Sequence, residues 1–168
     1  MHTLWINLTL CIISFWFLQG KFCKIPEHRA AGLIDGIFFG LGLCALSPFG
    51  LWMGSKISGG GASEISPDYQ NIHWWLLLVT STLLAPYWEE LVFRGKIQEI
   101  LIEKTNTVTA IAFISLMFPL IHFGKAPIMP NLVMLSVVCS ILTLRHKSVT
   151  PAIICHSVFN AGSLTFFF

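Results

Sequence analysis

The chain has 168 residues, of which 55% are hydrophobic and only 11% are charged, and its mean hydropathy is +0.75. Soluble domains carry about 25% charged residues, so this chain lacks the charge to cover a water-exposed surface. We therefore expect an integral membrane protein. The net charge of +2 is small and no cluster of basic residues is present, which argues against a nucleic-acid partner.

The hydrophobic runs predict an all-α, polytopic membrane helical bundle of about six transmembrane helices, because a helix needs ~20 residues to cross a bilayer. The predicted spans cover residues 4–18, 31–53, 72–102, 107–123, 131–144 and 150–168. The polar stretch 58–71, SGGGASEISPDYQN, separates the second span from the third. Its glycine, serine and proline content predicts an exposed loop.

Two local features mark the second and third predicted helices. Gly36 and Gly40 match the GxxxG pattern, which lets two helices approach closely. Pro86 lies inside the third span, and a proline there removes a backbone donor. We therefore expect a kink or a weakened hydrogen bond in this helix.

The basic residues of the predicted loops are distributed unevenly. The first, third and fifth loops carry Lys21, Lys24, Arg29, Lys104, Arg145 and Lys147, whereas the alternate loops carry only Lys56 and Lys125. Since cytoplasmic loops collect positive charge, we expect the odd-numbered loops to be cytoplasmic and both termini to lie outside.

Three short patterns place polar groups on three different predicted helices. They are Glu89-Glu90-Leu91-Val92-Phe93-Arg94, Phe118-Pro119-Leu120-Ile121-His122 and His156-Ser157-Val158-Phe159-Asn160. Ionisable residues inside membrane spans are rare and usually functional. A charge near a helix end sometimes only snorkels to the interface, and a lone histidine is more often a hydrogen-bonded core residue. The joint occurrence of these groups favours a functional site.

Helix geometry separates the two glutamates. Glu90 and Arg94 are four residues apart, so they share a helix face and are expected to pair. Glu89 points about 100° away from Glu90 and lacks this partner on its own helix. It is therefore the better candidate for a general base.

The histidines and the asparagine complete the predicted site. His156 and Asn160 are also four residues apart, so they share a face and together present two donors to a developing oxyanion. His122 is expected well inside the fourth helix, where it reaches the same water as Glu89.

The three patterns, EExxxR, FxxxH and HxxxN in this order, resemble the CPBP family, also called the Abi or type II CAAX prenyl endopeptidase family. The resemblance covers about residues 75–165 and includes Gly95 after the arginine. It implies an intramembrane glutamate protease, which is a membrane endopeptidase. Glu and His are plausible metal ligands in such a site, but we expect neither a metal nor another cofactor. The implied roles are water activation by Glu89 and His122, an oxyanion hole formed by His156 and Asn160, and orientation of the site by Glu90 and Arg94.

The resemblance also bears on organisation and partners. We expect N-terminal transmembrane helices and a loop over residues 1–70 and a CPBP-type catalytic core over residues 71–168. The expected location is the prokaryotic plasma membrane, with the lipid bilayer and a peptide or membrane-protein substrate as partners. A homo-oligomer or a partner membrane protein stays open, and prenylated substrates are not implied.

Two other classes of function stay open at this point. One is a non-catalytic membrane protein, for immunity or as a scaffold, that retains the polar site as a structural network. The other is a transporter whose carboxylates relay protons, against which the scarcity of acidic residues along the other spans argues. Among other proteases, the zinc motif HExxH and the serine motif GxSxG do not occur in the chain. Asn160 is a poor zinc ligand, which favours the metal-free chemistry.

Overall fold

The computed structural model of the protein describes residues 2–17, 21–23, 29–58, 74–122 and 128–165. Over these residues the chain forms six helices and no β-strand, which confirms the all-α prediction. The helices are α1 (His2–Phe17), α2 (Arg29–Ile57), α3 (74–104), α4 (Thr107–Leu120), α5 (Met129–His146) and α6 (Thr150–Thr165), and a short 3₁₀ turn spans Lys21–Cys23. The predicted loop 58–71 lies, apart from Ser58, outside the described residues.

Three of the described helices are long and apolar enough to cross a bilayer, namely Arg29–Ile57, Trp75–Lys104 and Met129–His146. Leu4–Ser14 and Thr107–Leu120 are apolar but shorter. Large apolar side chains, such as Phe38 at 68% exposure and Val108 at 77%, cover the outside of the bundle. Extended apolar surfaces of this kind indicate contact with lipid or with other proteins, and the protein is a membrane helical bundle.

α3 is a continuous helix in which two π-helical turns interrupt the α-helical hydrogen bonding. Its segments are Trp74–Val79 (α), Thr80–Leu84 (π), Ala85–Val92 (α), Phe93–Ile97 (π) and Gln98–Lys104 (α). In the first π turn the Ala85 N–H donates to the Thr80 carbonyl, five residues earlier, directly before Pro86. The expected disturbance of the hydrogen bonds at this proline is therefore confirmed. Single π turns are frequent at functional sites, and here one precedes the EExxxR motif and the other contains its arginine.

α2 packs closely against α6 through the predicted GxxxG pair. A Cβ atom on Gly36 would lie 2.7 Å from the Pro151 carbonyl oxygen, and one on Gly40 would lie 2.9 Å from the Cys155 carbonyl oxygen. Contacts this short leave no room for a side chain, so the two glycines let the backbones meet. The predicted packing role of the GxxxG pair is confirmed.

A tight turn joins α5 to α6. Lys147 adopts the left-handed conformation with φ 49°, and the next amide, Ser148 N–H, donates to the Thr143 carbonyl at 3.1 Å. This pattern closes the end of a helix and satisfies its last carbonyls. Pro151 follows in the first turn of α6, where its missing N–H costs nothing.

The buried core lies where α2, α3, α4, α5 and α6 meet. Its members are Leu43, Phe93, Phe118, Leu132, Leu135, Cys139, Leu142, Ala152, Cys155 and Phe159. α1 packs on the outside of α3, where the Trp88 indole N–H donates to the Asn7 side-chain oxygen at 2.9 Å. The residue after Trp88 is Glu89, so this contact helps to fix the orientation of the motif helix.

At one end of the bundle, polar contacts join the first, third and fifth predicted loops. Lys21 Nζ lies 2.5 Å from Glu103 Oε1 and 3.7 Å from Glu99 Oε1, and Glu103 raises the pKa of Lys21. The Val149 N–H donates to the Phe22 carbonyl at 2.8 Å. These three loops therefore share one end, as the charge distribution predicts, while the side of the membrane stays a prediction.

Candidate active site

The EExxxR motif on α3 faces the core of the bundle. Glu90 and Arg94 have no exposed surface, and Glu89 is only 8% exposed. Removing each such charge from water costs several kcal/mol. These side chains therefore need partners from the neighbouring helices, and those partners define the candidate site.

Arg94 is held by three helices. Its Nη1 donates to Glu90 Oε1 at 3.0 Å, so the predicted ion pair is present. Its Nη2 donates to Ser136 on α5, to Oγ at 2.8 Å and to the carbonyl oxygen at 3.2 Å. Its Cζ lies 4.8 Å from the centroid of the Phe118 ring on α4, a distance at which a guanidinium is attracted to an aromatic face.

His156 on α6 is joined to the same carboxylate. Its Nδ1 lies 2.8 Å from Glu90 Oε1, so this oxygen accepts from both Arg94 and His156. Because a carboxylate only accepts hydrogen bonds, Nδ1 carries a proton. The pairing thus leaves Nε2 as the ring nitrogen that faces the rest of the site.

The Nε2 atom of His156 faces the second glutamate. Glu89 Oε2 lies 3.9 Å from His156 Nε2, which is longer than a hydrogen bond and short enough for an ion pair when the imidazole is protonated. The first and third motifs therefore meet at one buried place. We call Glu89, Glu90, Arg94 and His156 the buried charged site.

His122 is connected to this site through Phe118 of its own motif. Its Nδ1 lies 2.9 Å from the Phe118 carbonyl oxygen, and its ring centroid lies 5.0 Å from that of Phe118. The Phe118 ring also packs edge-on against His156, with centroids 5.7 Å apart. Both histidines therefore contact one aromatic ring, and His122 Nδ1 is occupied by the Phe118 carbonyl.

The position of His122 along α4 differs from the prediction. α4 ends at Leu120, so His122 does not lie well inside the helix and instead occupies the turn that follows it. The cause is the last turn of backbone, where the His122 N–H donates to the Pro119 carbonyl only three residues earlier. This tighter pattern commonly ends α-helices, and it leaves His122 only partly buried.

Asn160 contacts α3 one turn beyond His156. Its Nδ2 donates to the Ser81 carbonyl at 2.7 Å. In the π register of this region Ser81 would accept from the nitrogen of Pro86, which has no proton. Since the Ala85 N–H donates to Thr80 instead, Asn160 supplies the donor that the proline removes.

The structure thus brings some predicted residues into direct contact and leaves others nearby. Glu89, Glu90, Arg94 and His156 form one cluster. His122 joins it through the Phe118 ring. Asn160 and His156 both contact α3, but at different places, with Asn160 Nδ2 on Ser81 and His156 Nδ1 on Glu90.

Sequence reasoning did not identify the polar groups of α5. Ser136 binds Arg94, and the Ser140 carbonyl accepts from Gln98 Nε2 at 3.2 Å. All three of Ser136, Ser140 and Gln98 have no exposed surface. The available signal was the spacing of the serines, four residues apart in an apolar helix, which places both on one face.

Within the residues that the structure describes, no group of three or more His, Cys, Asp or Glu side chains is arranged to hold a metal ion.

One comparison with known proteins gives a match. The model of the family described as type II CAAX prenyl endopeptidase Rce1-like matches residues 71–162, more than half of the chain, and the matched region contains all three motifs. Neither a curated protein nor a solved structure matches the chain. The family resemblance predicted from EExxxR, FxxxH and HxxxN is confirmed.

Proposed function

The chain belongs to the type II CAAX prenyl endopeptidase Rce1-like family, and from this premise we propose that it hydrolyses peptide bonds within the membrane with water activated by Glu89 and His122. This family consists of CAAX-type membrane proteases. The proposal is carried by one geometric observation. Glu90 Oε1 lies 2.8 Å from His156 Nδ1 while Glu89 Oε2 lies 3.9 Å from His156 Nε2, so two carboxylates face the two ring nitrogens of one buried histidine.

In the first step Glu89 acts as the general base. A water molecule transfers a proton to the Glu89 carboxylate while its oxygen attacks the carbonyl carbon of the substrate. His122 orients this water through Nε2, because Nδ1 is used by the Phe118 carbonyl. The carbonyl π electrons move to oxygen, and a tetrahedral oxyanion forms.

In the same step His156 and Asn160 stabilise the oxyanion. His156 donates from Nε2 only when the imidazole is doubly protonated, because the single proton of the neutral ring is held on Nδ1 by Glu90. The Glu90 carboxylate stabilises that positive charge. Asn160 has a second N–H on Nδ2 besides the one given to Ser81. Fixed donors of this kind are most effective where water is excluded.

In the second step the tetrahedral intermediate collapses. Glu89 transfers its proton to the leaving nitrogen, the C–N bond breaks, and a carboxylic acid and an amine are released. Glu89 is thereby returned to its ionised form. Arg94 balances the charge of Glu90 throughout, because its Nη1 donates to Glu90 Oε1.

We further propose that residues 71–168 form the catalytic core and that residues 1–70 support it. The close contact of Gly36 with Pro151 supports this division of labour, because it fixes α2 against the helix that carries His156. The substrate is proposed to be a peptide or membrane-protein segment that enters from the bilayer, and the prokaryotic plasma membrane is the proposed location.

The test is peptide hydrolysis by the purified protein in proteoliposomes. Two quenched-fluorescence peptides serve as probes, one with a farnesylated CAAX terminus and the other identical but unprenylated. Glu89→Gln and His122→Ala are each expected to lower kcat by about 100-fold or more, because each removes an acid–base group. Full activity in either variant would refute the proposed chemistry, and a preference between the two peptides would identify the substrate class.

The non-catalytic alternative is favoured by a different observation. Glu90, Arg94, Ser136 and His156 already form a connected polar network, as a purely structural site would. Under that alternative, Glu89→Gln retains the biological function while Arg94→Ala fails to fold. Turnover of either peptide that depends on Glu89 excludes it.

A further inference from the structure

The salt bridge between Glu90 and Arg94 uses only one carboxylate oxygen. Both Arg94 Nη1 and His156 Nδ1 contact Glu90 Oε1, whereas Glu90 Oε2 and Arg94 Nε have no partner among the described residues. A bidentate pair would fix the guanidinium plane by itself. This single-oxygen contact leaves the guanidinium free to turn about it, so its orientation depends on its other end.

The other end of Arg94 is held by Ser136. Arg94 Nη2 donates to Ser136 Oγ at 2.8 Å and to the Ser136 carbonyl at 3.2 Å. The Ser136 hydroxyl in turn donates to the Ile114 carbonyl on α4 at 3.4 Å. With its proton directed to Ile114, the hydroxyl presents its lone pairs to Arg94.

A chain of contacts therefore runs from Ser136 to the chemistry. Ser136 fixes Arg94, Arg94 fixes Glu90 Oε1, and this oxygen fixes His156 Nδ1. The last contact determines which nitrogen of His156 faces Glu89 at 3.9 Å. We propose that Ser136, a residue outside the three motifs, is a positioning residue that sets the orientation and tautomer of His156 through Arg94 and Glu90.

The inference rests on the proposed peptidase function for its kinetic consequence, but its structural part stands independently. Ser136 does not contact substrate in this scheme. Its loss affects the fraction of enzyme in which His156 is correctly oriented, so kcat falls and KM stays unchanged. Displacing a catalytic group by about 1 Å from its reactive position costs about 10- to 100-fold in rate.

α5 offers a matched control one turn away. Ser140 is as fully buried as Ser136, but its Oγ has no hydrogen-bond partner within the described part of the chain. Its backbone carbonyl accepts from Gln98 Nε2. Ser140→Ala therefore makes the same chemical change at the same depth without releasing Arg94.

The kinetic test compares Ser136→Ala, Ser136→Thr and Ser140→Ala with the wild type in proteoliposomes, with the two fluorogenic peptides. Ser136→Ala is expected to lower kcat by about 10-fold or more with KM unchanged. Ser136→Thr keeps the hydroxyl and restores most of the rate, and Ser140→Ala retains the wild-type rate. Equal rates in Ser136→Ala and Ser140→Ala, whether both high or both low, would overturn the proposal.

The spectroscopic test needs no substrate. Protein labelled with ¹⁵N-histidine is measured by NMR in detergent micelles, and the His156 signals are assigned from their loss in His156→Gln. At a pH where the imidazole is neutral, the wild type is expected to show the proton on Nδ1, and Ser136→Ala a mixture of protonated nitrogens. An unchanged spectrum would overturn the positioning role. A shifted spectrum with no hydrolysis by any variant would support the role of Ser136 while refuting the proposed function.

Discussion

Two clusters in the protein each join a carboxylate to an arginine and a histidine, in very different surroundings. In the buried charged site, Glu90 pairs with Arg94 and His156, and the side chains of the pair are 0% exposed. In the second cluster Asp35 pairs with Arg145 at 3.4 Å and His146 at 2.9 Å, at the end of the bundle. There the Arg145 side chain is 61% exposed, that of Asp35 is 22% exposed and that of His146 is 9% exposed. We call Asp35, Arg145 and His146 the bundle-end cluster.

The difference shows that burial determines how much an ion pair contributes to the stability of the fold. An exposed pair is hydrated and screened, so it contributes little and its loss costs little. A buried pair rarely exceeds a well-packed apolar substitute in stability, yet breaking it leaves one uncompensated charge. The buried charged site is therefore a poor way to stabilise this bundle, and the proposed hydrolysis gives it a role.

The largest expected effect on stability comes from breaking the buried pair. Arg94→Ala leaves the Glu90 carboxylate without its cation and should lower the free energy of unfolding by ~3–5 kcal/mol. Unfolding in mixed detergent micelles measures it. Arg145→Ala is the matched control, because it makes the same substitution beside a carboxylate that stays partly hydrated. Equal losses in the two variants would contradict the distinction by burial.

A double-mutant cycle measures the interaction energy within the buried pair directly. Glu90→Gln and Arg94→Met each leave one charge unpaired, whereas the double variant leaves neither. The two changes should therefore couple by ~1–3 kcal/mol. The corresponding cycle of Asp35→Asn with Arg145→Met should show coupling close to zero. A strong coupling at the bundle end would mean that exposure does not weaken the pair there.

At the bundle end, backbone strain is expected to matter more than charge. Lys147 holds a left-handed conformation with φ 49°, which glycine adopts without a steric penalty. Lys147→Gly should therefore raise the free energy of unfolding by ~1 kcal/mol. Lys104→Gly, at an ordinary helical position at the end of α3, should give no gain. If Lys147→Gly instead lowers the free energy of unfolding, the lysine side chain stabilises the fold by more than the strain of its left-handed backbone destabilises it.

Neutralising the carboxylate of the bundle-end cluster should have a smaller effect. Asp35→Asn removes the charge that faces Arg145 and His146, with an expected loss of ~0.5–1 kcal/mol. The loss should shrink as salt is added, because screening weakens exposed pairs. Thermal unfolding at low and high salt checks both statements, and a loss that does not depend on salt would contradict them.

The smallest effect is expected at Lys21. Its side chain is 70% exposed beside Glu103, so Lys21→Ala should not measurably change the unfolding temperature at neutral pH. Glu103 raises the pKa of Lys21 above its ordinary value of 10.5. The contribution of this pair is therefore complete between the lowered pKa of Glu103 and the raised pKa of Lys21, and it is lost only outside that range. A difference between variant and wild type that changes between about pH 7 and about pH 9 would exclude this assignment.

Much of the structure could be predicted because it depends on local spacing. The Glu90–Arg94 pair follows from a separation of four residues on a helix. Close packing at Gly36 and Gly40 follows from the same periodicity, and the irregular backbone before Pro86 follows from its missing donor. Each of these features is determined by spacing within one helix or by a residue that lacks a group, namely the side chain of glycine or the backbone N–H of proline.

Other features depend on contacts between helices, which spacing does not reveal. In the sequence, Ser136 does not differ from other small residues of an apolar helix. Its role follows only from the packing of α5 beside Arg94. The position of His122 depends on a last helical turn that tightens at Pro119. His122 therefore lies just after the helix and not in its interior, where the sequence placed it. The donor role of Asn160 toward Ser81 required knowledge of the π register in α3.

The most direct measurement is the rate of peptide hydrolysis by purified Glu89→Gln in proteoliposomes, beside the wild type and Glu103→Gln. Both variants remove one carboxylate charge from α3, but Glu103 has a side chain that is 56% exposed at the bundle end. We predict that Glu89→Gln folds normally and loses about 100-fold or more of the rate, while Glu103→Gln keeps the wild-type rate. Wild-type hydrolysis by Glu89→Gln would contradict the assignment of Glu89 as the base.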